Sequence, residues 1–240
     1  MRLMRLLHKW LSLVVGLQLV LWTASGLVFA WLEHDAVTAH RELREPKIRV
    51  LEKTAIVIEP AAFLRNADTL PLDVRLLPLA GEWVYRLQFD ARVELRRAAD
   101  GTAYAMSEPA VSAIADARYA GTGSLRKVAL RHPPVIEARD AGAVWEASYD
   151  DSARTALYFS DEDGRFIAAR NDTWRLFDFF WMLHTMDFRG RDDFNNPLVI
   201  LFTTGALWVG FTGTLLLLQV FGVTARLESG LRSRARTKRK

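Results

Sequence analysis

Two long apolar stretches, Trp10 to Leu32 and Pro197 to Ala225, bracket a polar middle of 164 residues. About 20 apolar residues at 1.5 Å rise per residue match a hydrocarbon core of about 30 Å, so each stretch predicts a membrane-spanning helix. The first apolar run is 23 residues. A cleaved signal peptide carries only about 7–15, so a retained span is expected despite the small residues near Ala30. The pattern divides the chain into an N-terminal flank (1–9), a first span (10–32), an extracytoplasmic domain (33–172), an interfacial amphipathic helix (173–190), a second span (197–222) and a basic tail (223–240).

The middle changes period. Gly81 to Asp90 alternates apolar and polar residues, and a second strand, Arg92 to Arg97, runs into an Asp100-Gly101 turn. Alternation at period two marks half-buried strands, and Asp-Gly supplies the positive φ of tight hairpins. The same sequence of features returns in Val144 to Asp150, Thr155 to Ser160, an Asp163-Gly164 turn and Arg165 to Ala169. Leu125 to Leu130 reads as a further strand. Pro60 and Pro109 sit where a first helical turn tolerates proline, which predicts helices over 61–67 and 110–119. The expected fold is α+β: a helix followed by an antiparallel meander, twice, between two transmembrane helices.

Charge sets the orientation. The formal net charge of +4 is the sum of flanks at +9 and a middle at −5. Lys and Arg beside spans stay on the cytoplasmic side, which predicts cytoplasmic termini and a periplasmic middle domain in an inner membrane. The tail is then a topology signal that also attracts anionic lipid, and no nucleic-acid partner is expected. Cysteine is absent. Disulfide, iron–sulfur and thiol chemistry are therefore excluded. There is no Ser/His/Asp arrangement, Gly-rich phosphate loop, HExxH or dinucleotide fingerprint, so a self-sufficient enzyme is not expected.

Histidine is the remaining source of chemistry. On a helical projection, Ser12, Gly16, Thr23 and Gly26 lie within about a quarter turn of His8, and Thr203, Gly210 and Thr214 form a comparable stripe on the second span. Such stripes suit close helix packing or leave room for a flat macrocycle. His184 falls on an aromatic face with Trp174, Phe177 and Phe180 or Trp181, with Asp178 and Asp187 placed to orient its second nitrogen. His34, at the far end of the first span, is positioned by sequence to approach His184. His8 and His34 are about 39 Å apart along one helix and cannot share an iron within one chain. His40 and His132 read as solvated residues, and Asp161-Glu162-Asp163 reads as the solvated rim of a hairpin.

Four fragments carry a family resemblance: Leu7-His8-Lys9-Trp10, Thr23-Ala-Ser-Gly26, Leu183-His184 and Phe211-Thr-Gly213, together with the Tyr158 to Gly164 meander. In these the chain resembles the PepSY-associated transmembrane family, in a short two-span form. The resemblance implies a PepSY-like domain that binds or regulates a periplasmic protein. It also implies an alternative, a haem b-binding electron-transfer subunit related to the ferric-siderophore reductases of iron uptake. His184, His34 and His8 would then be the haem ligands, and a homodimer or larger membrane complex would complete them. Because two spans supply an incomplete ligand set, the sequence favours protein binding over haem.

Overall fold

A computed structural model describes residues 2–46, 50–52, 57–65, 68–139 and 141–221. The chain forms two compact units, Met1–Trp31 with Phe179–Lys240, and Leu32–Asp178.

The helical unit is built on α1 (Arg2–Trp31) and α6 (Pro197–Val220). Both are long and apolar enough to cross a membrane, and only 17% of the most apolar window of α1 and 6% of that of α6 is buried within the chain. A core helix of a soluble protein would bury most of its apolar surface, so these helices suit lipid. The chain is thus a membrane protein with two spans. Asn196 caps α6 by accepting from the N–H groups of Leu198 and Val199, with Pro197 in the first turn. Residues 222–240, and with them the basic tail, lie outside the described residues.

The most buried positions of α1 are Val15, Gln18 and Ser25, with His8, Ser12, Gly16, Trp22, Gly26 and Phe29 among the half-buried ones. The glycines and threonines of the expected stripes do not make the close helix contact. A Cβ on Gly16, Gly26 or Gly210 would meet nothing within 4 Å, and Thr23, Thr203 and Thr214 are exposed. Close approach occurs instead at Gly205, where a Cβ would lie 3.0 Å from Val15 Cγ2.

The middle unit holds α2 (His34–Val37), a 3-10 turn (His40–Glu42), α3 (Pro60–Leu64), a sheet in the order β1-β2-β3-β4, then α4 (Glu108–Arg118) and a second sheet, β5-β6-β7-β8. The strands are β1 (Asp73–Leu79), β2 (Glu82–Gln88), β3 (Val93–Arg97), β4 (Ala103–Tyr104), β5 (Leu125–Arg131), β6 (Val144–Tyr149), β7 (Ala156–Ser160) and β8 (Phe166–Arg170), all antiparallel. The twofold helix-plus-meander plan is therefore observed, with four strands in each sheet. Of the first expected helix, α3 covers Pro60–Leu64, and residues 66 and 67 lie outside the described residues. The added strands β1 and β4 lack the alternation that marks β2. Pro78 is tolerated because β1 is an edge.

Turn chemistry explains the hairpins. Ala80 and Gly81 join β1 to β2 with φ of 48° and 91°, the paired positive angles of a type I′ turn. Gly101 and Gly164 take φ of 74° and 67°.

The two meanders share one core. Val84 and Leu95 of the first sheet, Val111 and Ala115 of α4, and Ala147, Leu157 and Phe159 of the second belong to a single buried cluster. A largely buried ion pair joins the lobes, Arg86 Nε to Asp163 Oδ2 at 2.8 Å. Burial works against the Asp163 charge, but the Arg86 hydrogen bond and the Arg165 N–H outweigh it and hold the carboxyl below its ordinary range. Asp161 accepts from Trp145 Nε1 at 2.7 Å. The acidic turn is therefore a structural junction, with only Glu162 fully solvated as the sequence suggested for all three.

Helix α5 (Asp172–Thr185) ends five residues short of the expected boundary. Asn171 caps its start through Trp174 N–H. Arg175 pairs with Glu137 at 2.9 Å, Tyr158 donates to the same carboxylate at 2.8 Å, and Arg139 donates to the buried Asp178 at 3.3 Å. These contacts hold the first half of α5 in the middle unit. Phe179 to Thr185 belong to the helical unit.

Candidate functional site

The site is built where α1, α6 and the last turn of α5 meet within the helical unit. His184 is half-buried, and its Nδ1 lies 2.7 Å from Ser25 Oγ. Ser25 is fully buried, and its hydroxyl donates to the Trp22 carbonyl at 3.0 Å. A hydroxyl has one proton; spent on the carbonyl, it leaves Ser25 Oγ to accept from the ring, the arrangement that places the His184 hydrogen on Nδ1. The Nε2 lone pair is left free, with no hydrogen-bond partner among the described residues.

Surrounding contacts fix the ring. Trp22 Nε1 donates to the His184 carbonyl at 2.7 Å, which satisfies one of the unpaired acceptors in the last turn of α5. Phe29 meets the imidazole edge-on with centroids 5.5 Å apart, and the Trp22 ring lies at 6.2 Å. Burial lowers the pKa of His184 below the ordinary imidazole value, favouring the neutral form. The residue lines a cavity of about 280 Å3 with Trp22, Thr185, Phe194, Val199 and Thr203.

The same device recurs at the other end of the helix pair with the helices exchanged. His8, on α1, places Nδ1 2.7 Å from Thr212 Oγ1 of α6. Thr212 donates to the Trp208 carbonyl at 2.8 Å and is 2% exposed. By the same proton count Nδ1 of His8 is the donor and Nε2 is free. The ring rests against Gly213, where a Cβ would fall 3.3 Å from His8 Cε1.

The four fragments that carry the family resemblance thus meet in pairs. His8 joins Thr212 and Gly213, and His184 joins Ser25. Ser25 and Thr212 were not singled out as functional in the sequence; a hydroxyl three or four residues after a carbonyl on its own helix is the signal, but only the fold reveals the histidine opposite.

Other expected placements differ. His34 is exposed at the start of α2 and belongs to the middle unit, whereas His184 belongs to the helical unit. His40 and His132 are exposed. Asp178 is engaged by Arg139, and Asp187 accepts four backbone N–H groups, those of Arg189, Gly190, Asp192 and Asp193. Burial is the largest single influence and raises the Asp187 pKa, but the four N–H bonds together outweigh it and hold the carboxyl at about 2. The orienting role expected of these carboxylates therefore falls to Ser25, because Asp187 is committed to the loop after α5. Glu33 pairs with Arg41 in its own unit.

Along the helix seam, Ser12 Oγ and Gln18 Nε2 are buried without a hydrogen-bond partner among the described residues. No group of three or more His, Asp or Glu side chains able to hold a metal ion occurs among the described residues. Comparison with known proteins finds no matching family model, curated protein or solved structure.

Proposed function

We propose that the chain is a two-span, haem-binding electron-transfer subunit of the PepSY-associated transmembrane type, in which His184 would hold the haem iron. The observation that carries this reading is the hydroxyl lock, which puts the proton of His184 on Nδ1 and leaves Nε2 free at a cavity with aromatic walls. Neutral imidazole with its second nitrogen hydrogen-bonded is the state in which histidine ligates a metal. The donor type fits haem iron, and Trp22 and Phe194 supply flat apolar surface for a macrocycle.

A bound haem would supply a one-electron ferric/ferrous couple. Within the chain, Ser25 orients His184, Trp22 anchors the helix end that carries it, and the aromatic contacts limit water at the ring. Each end of the helix pair offers one histidine. Ser25 lies 17 residues beyond His8, or about 25 Å along the helix, so His8 and His184 serve separate positions. The second ligand at either end comes from a second copy or another subunit. The basic flanks support cytoplasmic termini and a periplasmic middle domain in an inner membrane, with a ferric chelate as a suitable acceptor.

The test is an optical spectrum of the full chain, expressed with ample haem and purified in mild detergent. A Soret band that sharpens an α-band on dithionite reduction is expected. A colourless protein would overturn the reading.

A second reading, a periplasmic protein-binding module, is favoured by an open groove in the middle domain. It is compatible with the first, since an electron-transfer subunit needs a docking partner.

A further inference from the structure

The groove lies between α4 and the β1–β2 turn and encloses about 840 Å3. Ala113, Ile114 and Ala117 form one wall, and the other is the Ala80-Gly81 turn. These residues are small or apolar, so the walls stand apart without side chains filling the space between them. Arg44 and Arg118 close one end.

The two arginines are held by the backbone. Arg44 N–H donates to the Arg118 carbonyl at 2.7 Å, Arg118 Nη1 returns to the Arg44 carbonyl at 2.6 Å, and Arg44 Nη1 reaches the Asp116 carbonyl at 3.3 Å. Every acceptor is a neutral carbonyl. Neither guanidinium has a carboxylate within 4.0 Å among the described residues, whereas Arg86, Arg131 and Arg175 of the same unit do. Arg118 Nε is buried without a partner. A cation at the C-terminus of α4 complements the helix dipole, and Arg118 also lies over the Phe166 ring at 5.0 Å. That accounts for one positive charge at this end; it accounts neither for Arg44 nor for the apolar slot beside them.

The groove also runs beside an open sheet edge. Pro78 and Leu79 line it, and β1 is the terminal strand of its sheet. An extended chain lying there would meet unpaired strand backbone, the arrangement used in strand addition.

We infer that this groove binds an extended peptide segment of a protein partner, one carrying an Asp or Glu side chain between apolar residues, with the carboxylate held by Arg44 and Arg118. Charge complementarity selects the acid, because both guanidiniums at this end of the groove meet neutral carbonyls and no carboxylate within 4.0 Å among the described residues. Small walls select modest apolar neighbours. The inference rests on the protein-binding reading of the middle domain and narrows it to one surface.

The test uses the full chain in detergent and a random heptapeptide library with amidated C-termini, so that only side-chain carboxylates are offered. Selection on the wild type is expected to enrich Asp or Glu flanked by apolar residues, with the selected peptides bound about tenfold more tightly than their Asn or Gln counterparts, a step of about 1.4 kcal/mol. Arg44→Glu leaves the backbone pairing intact and is expected to abolish that preference, and Ala117→Leu, which fills the slot, is expected to weaken binding of acidic and amide peptides alike. Matching melting curves confirm that both variants are folded. No acidic enrichment, or the same enrichment on Arg44→Glu, overturns the inference. Equal capture of a periplasmic protein by wild type and Arg44→Glu would also overturn the groove while leaving the binding reading intact; capture by neither sinks both.

Discussion

The two ends of the helix pair carry the same proton lock in different surroundings. At the Ser25 end, the histidine arrives from α5 and meets two aromatic rings and a cavity of about 280 Å3. At the Thr212 end, the histidine belongs to α1 itself and lies against the bare backbone of Gly213. The same hydroxyl contact to Nδ1 is made at both ends; the room beside the ring differs. Ligand capacity therefore depends on what the neighbouring helix leaves empty: His184 itself lines its cavity, whereas the apolar cavity of about 470 Å3 along Leu11, Val15, Gly205 and Trp208 is not lined by His8.

Removing the acceptors is expected to have the largest effect. Ser25→Ala leaves the Nδ1 hydrogen of His184 without its buried partner and is expected to destabilise the protein by about 1–3 kcal/mol, the cost of a buried polar group left unpaired. It should also reduce haem retention. Thr212→Ala is expected to cost a similar amount while sparing haem at the His184 end. Thermal melting in detergent with pigment quantified on the same samples checks both; equal pigment loss in the two variants would erase the distinction between the ends.

Acid probes the comparison less severely. Burial lowers the folded-state pKa of His184. Because the unfolded chain then takes up the proton first, its contribution is present above about pH 6.5 and declines as the pH falls through that value toward the folded pKa. Wild type should therefore lose more stability between pH 7 and pH 5 than His184→Gln. Identical slopes in urea titrations would contradict this. The lobe junction responds lower: Asp163, with its depressed pKa, stabilises above the ordinary Asp value of about 4 and loses that contribution below it.

Two glycine substitutions give the smallest effects. Gly213→Ala places a Cβ 3.3 Å from His8 Cε1, so the ring must yield by a few tenths of an ångström. A cost below about 1 kcal/mol is expected, confined to the His8 end. Gly26→Ala meets nothing within 4 Å and is expected to be neutral or stabilising by up to about 1 kcal/mol through helix propensity. Reversed signs in melting would mean that the two faces of the helix pair had been exchanged.

The alternating strands were legible because their side chains divide between two faces, and the Asp-Gly turns because only a few residues tolerate positive φ. Strand β1 was not: its Pro78 and its Leu76-Leu77 pair break the alternation, and an edge position permits both. Gly16 and Gly26 lie half-buried beside the seam, where a Cβ would meet nothing, and the most buried positions are their neighbours Val15 and Ser25. At the site, histidines at the ends of the spans could be named from sequence. Their partners could not, since Ser25 and His184 lie 159 positions apart and nearby carboxylates offered a simpler local choice. Asp187 proved to be taken up by backbone N–H groups only two to six residues ahead.

The central claim is that Nε2 of His184 carries a free lone pair, and 15N NMR of histidine-labelled full chain in detergent, without haem, tests it most directly. With His184→Gln used to assign the signal, the account predicts a protonated Nδ1 and an unprotonated Nε2 for His184 at neutral pH. A protonated Nε2 with an unprotonated Nδ1 would contradict it, since Ser25 would then be donating to the ring and the ligating nitrogen would be closed.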